Sequence, residues 1–289
     1  MHLLCFGVGY SALRVCDAAM ADGWRVTGTS TSDAGVARLN QRGIAGLCFD
    51  GTAADENIAT TLASATHVVV SIPPSRDQWV DPVIEMYGDQ VASVANQLSW
   101  IGYLSTIGVY GDHAGAWIDE TTEPKPVSSR SRARLAVERQ WTELADQRSI
   151  RLQIFRLAGI YGPGRSAIDR LRAGTARRIV KPGQVFNRIH VDDIATAVGR
   201  GMRGGGSKQV YNVCDDLPTP PQDVIAYAAE LIGVDPPPEI DFDTADLSPM
   251  ARSFYGENKR VRNDRLKQDL NVRLAYPSYR EGLTALAKS

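Results

Sequence analysis

Cysteines are few and unpaired in this chain. Cys5, Cys16, Cys48 and Cys214 are the only four, and none forms a C-x-x-C pair. A disulfide framework is therefore not expected, and a zinc site would need closer ligand spacing; reduced, core-type thiols are the reading. No run is long and apolar enough to span a membrane. The first strand is expected to begin at His2, which leaves no room for a signal peptide. Together these absences point to a cytoplasmic protein with no membrane partner and no metal site. Repeats and low-complexity tracts are missing too. An excess of either charge is also lacking: 32 basic against 33 acidic residues leave a net −1, without the clustered basic surplus that nucleic-acid binding requires.

What is present is a chain of 289 residues, 43% of them hydrophobic, enough to bury a core in about two closely joined domains. Apolar runs alternate with helical patterns. HLLCFG, WRVTGTS, GIAGLCFD, ATHVVVSI, SWIGYLST and IRLQIFRL read as strands; SALRVCDAAMADG, DAGVARLNQRG and the arginine-rich stretch from Arg130 read as helices. This α/β alternation predicts a doubly wound parallel sheet with its ligand site at the carboxyl ends of the strands. After residue 162 the pattern loosens. RIHVDDIATAVGRGM predicts a strand entering a helix, with Asp192 as its cap, and KQVYNVCDD predicts a strand. TPPQDVIAYAAELIG predicts a helix capped by Thr219, with Pro220 first and Gln222 closing a capping box. Residues 234–261 read as loop-rich. One domain is thus expected over 1–162 with 188–215, and a smaller one over 163–187 with 216–289.

Three stretches carry chemistry. In GVGYSA, Gly7 and Gly9 open the turn between the first strand and the first helix, where a missing Cβ lets a pyrophosphate approach the backbone. Tyr10 follows, and Ala12 is small enough for close helix–strand packing. This predicts a dinucleotide site. The second strand ends in Thr29, Ser30, Thr31 and Ser32 rather than in the acid that holds an NAD ribose. Those hydroxyls, with Arg38 in reach, favour NADP over NAD, while Asp33 reads as a cap for the next helix. Asp50, closing the third strand, is either an adenine contact or a turn residue before Gly51. Ser71, at the end of the fourth strand, borders the same crevice. The third stretch is YLSTIGVYGD.

Taken with GVGYSA, FRLAGIYGPGR, RIHVDDIA and YNVCDD, it resembles the short-chain dehydrogenase/reductase superfamily, in its extended, epimerase/dehydratase-like branch and among its atypical members. The resemblance covers nearly the whole chain. It implies a Rossmann-type domain with a small C-terminal α/β substrate domain, a bound NAD(P), and a nucleotide-sugar-like or other polar substrate. It places Thr106, with Ser105 beside it, where the family polarises the substrate. The family's Tyr-x-x-x-Lys precedes an L-A-x-E pattern, present here as LAVE at 135–138. Counting back puts Arg130 at the tyrosine and Arg134 at the lysine. Arginine does not lose its proton in proteins, so the acid/base is replaced. Arg134 can keep the contact to the nicotinamide ribose, or pair with Glu138 one turn on. Arg130 can bind an anionic group, or extend from the helix start into solvent. Tyr161, Tyr110, Tyr255 and His190 are the candidate substitute acids. The expected function is an NAD(P)-dependent epimerase or reductase acting on a small molecule; the alternative is an NAD(P)-binding sensor without turnover. A homodimer is the expected oligomer.

Overall fold

The first strand has both faces buried, as a parallel strand between two helical layers should. The computed structural model describes residues 1–75 and 79–288. The strands are β1 His2–Phe6, β2 Arg25–Ser30, β3 Ala45–Cys48, β4 His67–Val70, β5 Trp100–Thr106, β6 Trp117–Ile118, β7 Leu152–Leu157, β8 Gly159–Tyr161, β9 Arg178–Val180, β10 Arg188–His190, β11 Val210–Val213, β12 Glu239–Asp241 and β13 Arg260–Val261. The helices are α1 Tyr10–Ala21, α2 Asp33–Gln41, α3 Glu56–Leu62, α4 Pro82–Ser93, α5 Ser129–Arg148, α6 Ala167–Arg172, α7 Val191–Met202, α8 Pro221–Leu231, α9 Pro249–Phe254, α10 Asp264–Gln268 and α11 Tyr279–Ala287. A 3₁₀ turn spans Ile107–Tyr110.

Seven parallel strands form one sheet in the order β3-β2-β1-β4-β5-β7-β11. Alternate residues of a strand point to opposite faces. Leu3 and Cys5 accordingly pack with Val15 of α1 and Val198 of α7, while Leu4 and Phe6 pack with Ile58, Val83, Tyr87 and Trp141 of α3, α4 and α5. Strand order reverses between β1 and β4, and the crevice there is where a doubly wound sheet takes its ligand. The fold is thus α/β and Rossmann-like, with a small C-terminal α/β region. In that region α6, α8 and α11 share a cluster of Ile168, Val224, Ile225, Ala228, Tyr279 and Leu283.

Some local expectations are corrected. Thr219 does not cap α8: it exchanges backbone hydrogen bonds with Phe186 and donates its hydroxyl to the Leu217 carbonyl, which holds it extended. The helix starts one residue later, after Pro220 and without a side-chain cap. His190, not Asp192, caps α7, accepting from the Asp192 amide at 3.2 Å. Ser32, not Asp33, caps α2. The loop-rich stretch over 234–261 also holds three short elements, β12, α9 and β13, whose strands pair with β9 and β6.

Candidate functional site

The turn after β1 is built for close approach. Gly7 has φ +83°, a left-handed conformation that L side chains rarely adopt, and its amide donates to Thr29 Oγ1 at 2.8 Å. Gly9 is the N-cap of α1. No side chain caps this helix and no acid stands in its first turn, which leaves its leading N–H groups and positive dipole end able to receive an anion. A Cβ built on Gly9 would meet nothing within 4 Å. The residues present therefore fit a dinucleotide pyrophosphate. Ala12 is fully buried against the sheet. Tyr10 turns away and donates to the Pro163 carbonyl at 3.0 Å, with Arg165 stacked over its ring. That contact joins the glycine turn to the loop after β8.

The other strand ends lie around this turn. Ser30 packs its hydroxyl where a side chain on residue 35 would stand, and Thr31 is exposed. Arg38 sits in the last turn of α2, about 7 Å along the axis from that helix's start. Asp50 accepts from the Thr52 hydroxyl and amide, which hold its carboxyl below the usual range. Ser71 donates its amide to the Phe6 carbonyl across β1 and β4.

Ser105 and Thr106 end β5 and point to different tasks. Ser105 is buried and donates to Glu138, which also takes Nε and Nη2 of Arg156, the latter at 2.7 Å. Burial alone would lower Arg156, but Glu138 outweighs it and raises the guanidinium above its ordinary value. Glu138 is therefore the partner of Arg156, and the alternative in which it pairs with Arg134 is not what forms. Thr106 caps the 3₁₀ turn by accepting from the Gly108 amide at 3.1 Å. A hydroxyl used in this way keeps its own proton to donate.

Arg134 directs Nη1 to the carbonyls of Ile72 at 3.3 Å and Leu104 at 3.1 Å, and to the Tyr103 hydroxyl at 2.9 Å. It thereby clamps the ends of β4 and β5. Burial pushes the Tyr103 phenol up, keeping it a neutral partner. Arg130, one turn earlier, is exposed and lies 5.2 Å from the ring centre of Phe254 in α9. Thr106, Arg130, Arg134 and Tyr161 all line one cavity of about 1170 Å³. Gly7, Gly9, Tyr10, Ala12, Ser30, Thr31, Asp50, Ser71 and Ser105 are not in its wall; the glycine turn is tied to it through Tyr10, whose ring lies under the wall residue Arg165.

The candidate substitute acids are mostly tied to the protein. Tyr161 donates to the Ser278 carbonyl at 3.2 Å, and burial raises its phenol far above the ordinary value. Tyr110 is fully buried and donates to Asn212 at 2.8 Å. His190 is buried against Tyr161 and Tyr276. Tyr255 alone of these lines the cavity with a hydroxyl that makes no protein hydrogen bond among the described residues. The sequence reading missed the wall's other cations, Arg165, Arg170, Arg177, Arg188 and Lys259. They come from five separate elements and loops, so no local pattern announces them. The two carboxylates in the wall are engaged, Asp169 by Ser166 and Glu257 by Lys259. The cavity is therefore electropositive.

Comparison with known proteins agrees with this architecture. A functionally unknown conserved protein from Silicibacter pomeroyi DSS is 50% identical, with a TM-score of 0.91 over 99% of this chain and 98% of that one. Protein YeeZ of Escherichia coli (strain K12) is 28% identical over 240 residues, 80% of this chain and 84% of the relative. UDP-glucose 4-epimerase of Thermotoga maritima, solved with UDP-glucose, shares the fold at 18% identity and a TM-score of 0.82, over 100% and 98% of the two chains. Residues 7–214 match the NAD dependent epimerase/dehydratase family, whose members bind NAD or NADPH, and the chain belongs to that family as an extended short-chain dehydrogenase/reductase.

Proposed function

We propose that this chain binds NAD(P), with NADP preferred, and acts as an oxidoreductase or epimerase on a small anionic substrate. The observation that carries this reading is the convergence of Thr106, Arg130 and Arg134 on one electropositive cavity beside the uncapped glycine turn. The nicotinamide supplies the hydride acceptor or donor when bound. The first turn of α1 holds the pyrophosphate, and Arg134 fixes the edge of the crevice where the nicotinamide ribose lies. Ser30 and Thr31, with no acid at the strand end, support the preference for a 2′-phosphate. Thr106 donates a hydrogen bond from its hydroxyl to the substrate oxygen and keeps its proton. Arg130 stabilises negative charge on that oxygen or on a neighbouring carboxylate without moving a proton. The proton itself exchanges with water at the open mouth.

The arginine at the tyrosine position also supports a second reading, an NAD(P)-binding sensor without turnover. A positioned acid/base contributes about 10²–10⁴-fold, and its loss favours binding over catalysis. The test is calorimetric titration with NADPH and NADH, followed by turnover measured on small anionic carbonyl compounds and alcohols. The enzyme reading expects Thr106→Val to lower kcat by about 10²–10³-fold at unchanged cofactor affinity. Cofactor binding with no turnover on any anionic compound supports the sensor. A folded protein that binds neither nucleotide refutes both.

A further inference from the structure

Most basic side chains in the cavity wall are already held by protein. Arg134 clamps three oxygens. Arg177 donates to the Asp246 carbonyl. Lys259 bonds the Gly111 carbonyl at 2.7 Å and Glu257 at 2.6 Å. Arg170 and Arg188 are different. The Arg170 guanidinium makes no hydrogen bond, ion pair or ring contact among the described residues. Arg188 uses only Nη1, on the carbonyls of Phe186 at 3.0 Å and Thr219 at 3.2 Å; its Nε and Nη2 have no partner among the described residues and open onto the cavity. The Tyr255 hydroxyl opens onto the same space, its ring fixed between Phe186 and Phe242.

All three line one cavity wall, where each guanidinium is within electrostatic reach of the Tyr255 phenol and Arg170 is within reach of Arg188. Loss of solvation holds both arginines below their ordinary range, Arg188 down to about 10. Asp215, the acid behind Arg188, lies beyond ion-pair distance, and burial raises its carboxyl to about 8 against the pull of Arg188. Two desolvated cations with no ion pair of their own among the described residues are costly until an anion arrives. Beside them the wall is aliphatic, formed by Val224, Ile225 and Leu283. The aromatic rings nearby are engaged: Tyr255 stacks on Phe242, Arg280 covers Tyr279 and Arg130 covers Phe254.

We propose that Arg170, Arg188 and Tyr255 form an anion subsite, separate from Arg130, that takes a compact terminal phosphate or carboxylate carried on an apolar body. The inference rests on reading this cavity as a substrate site, and it replaces a nucleotide at that end with an amphiphilic anion. A phosphate or carboxylate here would accept from both guanidinium groups and the phenol, while Arg130 and Thr106 attend the reacting end.

The test titrates phenyl phosphate, benzoate and uridine diphosphate into the full chain by calorimetry, with and without NADPH. Arg170→Met removes a side chain with no protein partner, and Tyr255→Phe removes a single hydroxyl, so both variants should melt as the wild type does. The proposal expects phenyl phosphate or benzoate to bind, the tighter of the two identifying the anion. Affinity should fall about 10–100-fold in Arg170→Met and about 2–10-fold in Tyr255→Phe, with Arg188→Lys in between and Arg130→Met unchanged. Failure of both aromatic anions to bind, indifference to Arg170→Met, or tighter binding of the nucleoside diphosphate overturns it. NADPH affinity should be the same in all four variants. If NADPH binds none of them while the Arg170 dependence holds, the oxidoreductase reading falls and the subsite stands.

Discussion

Gly7 and Gly9 lie two residues apart in one turn, yet the structure assigns their substitutions different consequences for folding. Gly9 has φ −92° and ψ −161°, open to any residue, and its Cβ would meet no atom within 4 Å. Alanine there removes unfolded-state freedom, a gain of about 0.4–1 kcal/mol, and replaces glycine by a poorer N-cap, a loss of about 1 kcal/mol. The two nearly cancel. Gly7 is a different case. Its φ of +83° costs a non-glycine residue about 1–2 kcal/mol. A Cβ would also stand 2.9 Å from Ile72 Cγ1 and 3.2 Å from the Ile72 backbone nitrogen. Such overpacking adds about 1–3 kcal/mol. Gly7→Ala should therefore lose about 2–5 kcal/mol in urea denaturation, and Gly9→Ala should stay within about 1 kcal/mol of wild type. Calorimetric titration with NADPH should nonetheless show Gly9→Ala weakened by at least about tenfold, or 1.4 kcal/mol, because the new methyl occupies the space the pyrophosphate needs. A folded Gly9→Ala that binds NADPH as tightly as the wild type would refute the assignment of this turn to the pyrophosphate.

Two further expectations concern the support of the site. Glu138→Ala leaves Arg156 charged and buried without its partner and should cost about 3–5 kcal/mol in denaturant unfolding, whereas Glu138→Leu with Arg156→Met should recover most of that loss; equal destabilisation of both variants would contradict the ion-pair account. Burial raises Asp215 to about 8, above its unfolded value of about 3.9, so its contribution is complete below about pH 4 and is lost as pH rises through 8. Asp215→Asn should remove that loss, with the difference in unfolding free energy changing by at most about 1.4 kcal/mol per pH unit between those limits. Parallel pH profiles for the two proteins would show that Asp215 ionises normally in the fold.

The sheet was legible in the sequence because its central strands are buried on both faces. Runs such as HVVV and LQIF have no polar face to hide, and they alternate with helices whose apolar stripes are regular. The glycine turn was legible for the same local reason, since a positive φ at Gly7 and open space at Gly9 leave glycine as the residue that fits. What could not be read depends on contacts between distant segments. Thr219 looks like a helix cap in TPPQ, but its pairing with Phe186 pulls it into an extended bridge. Glu138 looks one turn from Arg134, but β7 brings Arg156 beneath it with better geometry. Arg170 and Arg188 are ordinary arginines in a surface helix and a short strand until the chain folds α6, β10 and α9 around one cavity.

If Arg130 and Arg134 stand at the family's tyrosine and lysine positions, as the LAVE pattern implies, the exchange has a physical logic in the surrounding residues. A proton shuttle needs a group whose pKa can be brought near neutrality, and arginine cannot serve. A fixed charge needs only position. Arg134 is positioned by three oxygens at the ends of β4 and β5, and these bonds place its charge at the crevice without a titrating partner. The buried pair of Glu138 with Arg156 anchors α5 to β7 and, through Ser105, to β5. That anchor fixes the helix along its axis, so the residue one turn before Arg134 must emerge at the cavity beside Thr106. Arg130 does so with its face against Phe254 and its hydrogen-bond donors free of protein partners among the described residues. Such a helix holds two permanent cations beside a hydroxyl donor, an arrangement that, on the proposed function, would select its ligand by charge and leave proton movement to the solvent.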